Sequence, residues 1–171
     1  MIHLLQRKIY QRKIFKVRIF PFFCGSYKTP EGVDVPATII RSSSKADVPM
    51  FFWKDTSWGQ KWDPKTRCQE VSRRLQISYD SGIINYIFPG RLNNYPTLCI
   101  SKEISDPQCH DQNLLITLKS GENANNFLQE ITAFRHSGGL TVYRDGGSYM
   151  SVFEYWQNAP TINSSPSESR F

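Results

Sequence analysis

The alternation of apolar and polar positions is most regular over residues 64–79, where it predicts an amphipathic helix. One face recurs at offsets of three, four, seven and eleven residues and comprises Cys68, Val71, Ser72, Leu75 and Tyr79. The positions predicted to point away from this face are Arg67, Glu70, Arg73 and Arg74. Asp63 is a suitable N-cap before Pro64, and Gly82 is a natural stop.

A second helix is predicted over residues 123–135, and Gly138 and Gly139 follow its end. Its apolar stripe comprises Phe127, Leu128, Ile131 and Phe134. The pattern over residues 149–156 is apolar, but its periodicity does not decide between helix and strand.

Short β-branched or apolar runs predict several strands. Their ranges are 16–24, 37–41, 48–53, 83–88, 97–101, 114–118 and a short 140–143. Pro89 and Gly90 predict a turn directly after the fourth of these strands. Because strands come in runs and do not alternate with helices, the pattern predicts an α+β fold. We expect an antiparallel sheet of about five to seven strands with two helices packed on one face.

The chain of 171 residues divides into three segments. Residues 19–157 have the length and apolar content of a single globular domain. Residues 1–18 form a basic arm, and residues 158–171 are rich in Ser, Pro and Asn and are expected to be disordered.

The net charge of +6 comes from the N-terminal arm. Residues 1–22 contain six basic residues and no acidic one, so the rest of the chain carries 15 of each sign. Basic residues also interrupt every apolar run there, so the arm lacks the core of a signal peptide. Three interpretations of the arm compete: a membrane-surface segment, a solvated tail, and a leader remnant or misassigned start. We favour the third. Because the predicted domain has no excess of basic residues, nucleic-acid binding is not expected.

The chain contains four cysteines, which are Cys24, Cys68, Cys99 and Cys109. Four cysteines allow three disulfide pairings. Cys99 and Cys109 lie close together in sequence, so we expect them to form one disulfide and the other two cysteines to form the second. Two alternatives remain: four reduced, buried thiols, or a zinc site that includes the neighbouring His110. Structural zinc sites usually use closely spaced cysteine pairs, which this chain lacks, so no metal is expected. Disulfides indicate an oxidising compartment.

A recognisable set of segments runs along the predicted domain. It comprises residues 67–76 with Tyr79 and Gly82 after them, 36–41 after Cys24, 85–86, 90–93, and 114–118 after Cys99 and Cys109. Together these segments resemble the circadian-oscillating-protein (COP23-like) family of cyanobacteria. The resemblance covers roughly residues 20–156. It implies an exported or membrane-associated protein of the periplasm, thylakoid lumen or cell envelope, with no defined catalytic residues.

The sequence offers no recognisable catalytic constellation. Of three histidines, His3 lies in the arm, and neither His110 nor His136 has the context of a known hydrolase motif. The Gly-Gly pairs lack the surroundings of a phosphate-binding loop. We therefore expect neither an enzyme nor a cofactor.

Aromatic residues beside cations mark the best candidate binding surfaces. The first comprises Trp58, Trp62 and Arg67, and the second comprises Tyr86, Arg91 and Tyr95 around the predicted turn. The competing interpretation places Trp53 in the core, with Trp58 and Trp62 packed as a lid over a sheet edge. The sequence favours a non-enzymatic extracytoplasmic or membrane-peripheral domain that binds an unknown protein partner. The alternative is a small-ligand or glycan-binding module that uses Trp58 and Trp62, and a hydrolase or an arm that binds nucleic acid ranks below both.

Overall fold

The computed structural model describes residues 19–142 and 147–162, which form eight strands and three α-helices. The strands are β1 (Ile19–Lys28), β2 (Asp34–Ser42), β3 (Val48–Phe52), β4 (Tyr86–Leu92), β5 (Tyr95–Ser101), β6 (Leu114–Thr117), β7 (Leu140–Val142) and β8 (Ser148–Ser151). The helices are α1 (Pro64–Asp80), α2 (Ala124–Ile131) and α3 (Val152–Asn158). The basic arm, residues 1–18, lies outside the described residues.

The eight strands form two antiparallel sheets. The smaller has the order β1-β2-β3 and the larger has the order β6-β5-β4-β8-β7. The predicted α+β class and antiparallel pairing are confirmed, but the strands divide between two sheets where the sequence analysis expected one. A single apolar cluster joins them, because Met50 and Phe51 of β3 belong to the same core as Ile87 and Leu98 of the larger sheet.

Helix α1 forms where the sequence predicts it. The Asp63 side chain accepts a hydrogen bond from the Thr66 main-chain N–H at 2.7 Å, which caps the first turn. The chain leaves the helix through Gly82, whose φ of 73° is costly for other residues. Val71 and Leu75 are buried where α1 packs on β1 and β2.

Both predicted disulfides are present. Cys24 of β1 is bonded to Cys68 of α1, with their Cα atoms 5.5 Å apart. Cys99 of β5 is bonded to Cys109, with a Cα separation of 5.7 Å, and this bond holds the loop of residues 102–113 against the larger sheet. The pairing prediction is therefore confirmed.

The predicted turn at Pro89 and Gly90 is wrong, because both residues lie within β4. The β4–β5 turn instead uses Asn93 and Asn94, whose φ values of 50° and 66° suit the tight hairpin turns that favour asparagine. Strand β8 pairs with the first two residues of β4, so Pro89 has a strand neighbour on one side only within the described part of the chain. The missing N–H of proline is tolerated at such an edge.

The structure also changes the predicted end of the second helix, assigns the undetermined segment and extends the packed domain. Helix α2 ends at Ile131, four residues before the predicted end. The undetermined segment 149–156 divides into the end of β8 and most of α3. Packing also continues into the predicted tail, since Ala159 is buried and the Ile162 N–H donates to the Asp47 carbonyl at 2.7 Å. Residues 163–171 lie outside the described residues. Among the described helices, none combines the length and the hydropathy of a membrane-spanning segment.

Candidate functional site

The tryptophan loop, residues 53–62, folds back over the N-terminal end of α1. Trp53 is buried in the core, and its Nε1–H donates to Thr38 Oγ1 at 3.0 Å. Trp58 is half-buried against Phe127 of α2, with 5.9 Å between the ring centres. Trp62 remains 42% exposed at the end of the loop. The three tryptophans therefore occupy three different depths.

Arg67, which the helical spacing places off the apolar face of α1, is nevertheless only 2% exposed. It lies beneath the tryptophan loop, where Nε donates to the Trp62 carbonyl at 3.0 Å and Nη2 donates to the Asp55 carbonyl. Its guanidinium carbon is 5.5 Å from the Trp53 ring centre and 4.8 Å from that of Trp58. Such positions allow a cation–π interaction with both rings.

The guanidinium of Arg67 carries a positive charge that is largely shielded from solvent. Desolvation lowers its pKa, while the more distant charges of Asp55, Glu122 and Asp63 act in the opposite direction. No carboxylate of the described residues makes a salt bridge with it. Because a guanidinium stays protonated in proteins, the site keeps its positive charge.

A pocket of about 300 Å³ opens beside this arrangement. The tryptophan loop contributes one wall, α1 contributes a second, and strand β6 of the larger sheet contributes the third. The lining residues are Trp58, Trp62, Arg67, Glu70, Val71, Arg74, Leu114, Leu115, Ile116 and Thr117. The pocket therefore unites the first predicted surface, Trp58, Trp62 and Arg67, with residues that the sequence analysis did not select.

Glu70 binds two neighbouring arginines of α1, of which Arg74 lines the pocket and Arg73 does not. Its carboxylate accepts hydrogen bonds from Arg74 Nε at 2.8 Å and from Arg73 Nε and Nη2 at 3.0 and 2.8 Å. These bonds, with that from Arg73 as the largest cause, lower the pKa of Glu70 despite its partial burial. Arg74 also donates through Nη1 to the Leu115 carbonyl at 3.1 Å, which ties α1 to β6. With Arg67 and Arg74 positive and Glu70 negative, the pocket lining carries a net charge of one positive unit.

Strand β6 is the last strand at its side of the larger sheet among the described residues. The Leu118 N–H donates to the Pro96 carbonyl at 2.8 Å, so the main chain of residue 118 faces β5. Because main-chain groups alternate sides along an antiparallel ladder, the N–H and carbonyl of Thr117 face away from β5. The Leu115 carbonyl also faces outward, and it is the one that Arg74 covers.

The second predicted surface is not brought together by the fold. Tyr86, at the start of β4, packs on Tyr149 with 5.8 Å between ring centres. Arg91 lies five residues further along the strand, about 17 Å away at the usual rise, and on the opposite face. Arg91 donates to the Asn94 carbonyl at 2.6 Å, and Tyr95 is exposed beside it at the hairpin turn. Only Arg91 and Tyr95 share a surface.

The described pocket lining provides groups that can bind a ligand or a partner. Two indoles and Val71 provide apolar contact, two guanidinium groups provide donors, and the edge of β6 provides main-chain groups. No group of three or more histidine, cysteine, aspartate or glutamate side chains that could hold a metal occurs in the described ranges. Sequence reasoning missed Glu70, Arg74 and β6 as parts of the site, because only their positions in the tertiary structure distinguish them from surface charges and an ordinary strand.

Comparison with known proteins identifies one relationship. The family model described as circadian oscillating protein COP23 matches residues 21–157. No curated protein and no solved structure matches the chain.

Proposed function

The chain belongs to the circadian oscillating protein COP23 family, and we propose that its domain is a non-catalytic module that binds a protein partner in the pocket. Membership confirms the resemblance noted in the sequence and by itself assigns no molecular activity. The proposal is therefore drawn from the geometry of the site.

The observation that carries this proposal is a buried guanidinium, that of Arg67, near the rings of Trp53 and Trp58. It lines a pocket that also includes the edge strand β6. Tryptophan and arginine are the residue types most enriched at the energetic centres of protein interfaces. A strand edge adds main-chain donors and acceptors that an extended partner segment can pair with. A pocket of about 300 Å³ suits one anchoring side chain of such a segment.

We further propose that the domain works outside the cytoplasm, in the periplasm, thylakoid lumen or cell envelope. Two disulfides support this location, because reducing compartments rarely maintain structural disulfides. A peripheral association with the membrane is part of the same proposal. It rests on residues 1–18, so deleting them should release the protein from the membrane fraction if the arm provides the contact.

Photo-cross-linking tests whether a protein partner binds in the pocket. A benzophenone amino acid replaces Trp62, whose side chain is 42% exposed on the pocket wall. In a matched control it replaces Phe153, which is 52% exposed and not among the pocket residues. We expect a discrete protein adduct from position 62 and none from position 153 in the cells that make the protein. Identical adducts from both positions, or none from position 62, would contradict the proposal.

A small-ligand or glycan-binding module is the second candidate, and the exposed face of Trp62 favours it. Indole rings stack on apolar faces of small ligands, and the pocket volume is at the lower end of the range for small-molecule sites. Tryptophan emission during titration with a panel of soluble oligosaccharides and organic acids separates the two candidates. A saturable change that Trp62→Ala abolishes would support this candidate over a protein partner.

A further inference from the structure

We infer that the pocket receives the C-terminal end of an extended peptide chain, with the terminal carboxylate held by Arg67 and Arg74. This inference rests on the proposed function and specifies which part of the partner enters the site. Three independent features of the pocket lead to it: the length of accessible strand edge, the charge of the lining and the shape of the apolar wall.

The accessible edge of β6 is short. The outward N–H and carbonyl of Thr117 can pair with one residue of an added strand. Two residues earlier, the Leu115 carbonyl already accepts from Arg74 Nη1, and the Arg74 side chain crosses the edge there. An added strand that pairs with Thr117 therefore meets Arg74 at its next pairing position. A chain that ends at this point fits, whereas a chain that continues must displace Arg74.

The charge at that end of the edge suits an anion. Arg67 uses Nε and Nη2 for main-chain carbonyls, and Arg74 uses Nε for Glu70 and Nη1 for Leu115. Arg67 Nη1 and Arg74 Nη2 have no hydrogen-bond partner among the described residues, and both side chains line the pocket. A carboxylate accepts hydrogen bonds from guanidinium groups more strongly than a neutral acceptor does. It would also neutralise the net positive charge of the lining.

The apolar wall suits the last side chain of the peptide. Trp58, Trp62, Val71 and Ile116 supply apolar lining, and Arg67 and Arg74 line the same pocket. A terminal residue places an apolar side chain and a carboxylate on the same carbon atom. That combination matches a pocket in which apolar walls and cations adjoin. An acidic side chain within a longer peptide would also bring a negative charge. Such a peptide would continue past its pairing with Thr117, however, and would have to displace Arg74.

Fluorescence anisotropy with defined peptide mixtures tests this inference on the full chain. The probes are N-terminally labelled hexapeptide sublibraries, each with one fixed last residue, prepared both as free acids and as C-terminal amides. We expect sublibraries that end in large apolar residues to bind as acids and to bind about tenfold more weakly as amides, since one strong charge-assisted contact is lost.

Two variants on the same helix provide a matched comparison. Arg74→Gln removes a cation of the pocket lining, whereas Arg73→Gln removes a cation that bonds Glu70 but does not line the pocket. We expect about tenfold weaker binding of the acid peptides by the Arg74 variant and less than about a twofold change for the Arg73 variant. Circular dichroism confirms that both variants are folded.

The outcomes separate this inference from the proposed function. Equal binding of acids and amides, or equal effects of the two arginine variants, would overturn the role of the C-terminal carboxylate while leaving a peptide-binding module. Absence of binding by every sublibrary would also overturn the inference. In that case the cross-link from position 62 decides independently whether a protein occupies the pocket.

Discussion

The guanidinium carbon of Arg67 lies 4.8 Å from the centre of the Trp58 ring, and this contact joins helix α1 to the tryptophan loop. The same side chain donates hydrogen bonds to main-chain carbonyls at both ends of that loop, those of Asp55 and Trp62. One arginine therefore fixes the shape of the pocket wall in addition to contributing charge.

Replacing Arg67 with methionine should destabilise the domain. The change keeps the length of the apolar stem but leaves two carbonyls without their charged donor, which predicts a loss of about 2–4 kcal/mol in the free energy of unfolding. Urea denaturation followed by tryptophan emission measures it. Arg73→Met is the control, because Arg73 is largely exposed and an exposed ion pair contributes less than about 1 kcal/mol. Equal denaturation midpoints for Arg67→Met and the unmodified protein would show that Arg67 does not hold the loop.

Removing either disulfide should destabilise the domain, and the bond that closes the longer loop should matter more. In the chain-entropy model, Cys24→Ala with Cys68→Ala costs about 4 kcal/mol and Cys99→Ala with Cys109→Ala costs about 3 kcal/mol. Urea denaturation of the two double variants tests the order. A non-reducing peptide map of protein from its native cells should show both linked pairs, and four unmodified thiols there would contradict an oxidising location.

Gly90 is required by the second disulfide. A Cβ atom added at this position of β4 would overlap with Cys109 Sγ. Gly90→Ala should therefore destabilise the oxidised protein by about 1–3 kcal/mol, as overpacking usually does. The effect should shrink when the same change is made together with Cys99→Ala and Cys109→Ala. A double-mutant cycle measures this coupling, and additive effects would show that the clash is absent in solution.

Acid should loosen the tryptophan loop through Asp55. Its carboxylate accepts from the Ser57 N–H at 2.8 Å and from Trp58 Nε1–H at 3.0 Å, and these bonds, that from Ser57 first, lower its pKa. A carboxylate whose pKa is lowered on folding contributes its full stabilisation at pH values above its ordinary pKa of about 3.9. This contribution disappears as the pH falls through the folded-state pKa.

The free energy of unfolding between pH 6 and pH 3 tests this role of Asp55. The unmodified protein should lose more stability over that range than Asp55→Asn does, because asparagine does not titrate. Trp58 emission should change over the same interval only in the unmodified protein. Parallel pH profiles for the two proteins would rule out a contribution from this carboxylate.

The tryptophans Trp53 and Trp156 should respond differently to replacement by phenylalanine. Trp53 donates a buried hydrogen bond to Thr38 Oγ1, whereas Trp156 Nε1 is buried without a hydrogen-bond partner among the described residues. Losing a satisfied buried donor costs about 1 kcal/mol, and removing an unsatisfied one is favourable. Trp156→Phe should therefore be at least about 1 kcal/mol less destabilising than Trp53→Phe. Denaturation midpoints of the two variants provide the comparison, and the reverse order would contradict it.

Local rules predicted the elements whose determinants are close in sequence. The Asp63 cap, Pro64 and the spacing of Cys68, Val71 and Leu75 defined α1, and the short separation of Cys99 and Cys109 favoured their disulfide. The same rules did not indicate that Arg67 is buried, because a helical period places its side chain off the apolar face and contains no information about a loop that covers it. The turn predicted at Pro89 and Gly90 was wrong because β8, in the described residues, pairs with β4 only before Pro89, so the missing N–H of this proline is tolerated within the strand.

The sequence by itself determined the first helix and the family and correctly predicted the α+β class and the cysteine pairing, since each depends on local periodicity, spacing or motif. Only the tertiary structure decided that the strands form two sheets around one core and that Glu70, Arg74 and β6 complete the pocket with Trp58, Trp62 and Arg67. Strand order and loop packing arise from contacts between residues far apart in the chain. A linear pattern identifies the strands and the charges, but it does not specify which edge remains open or which cation lies beside it.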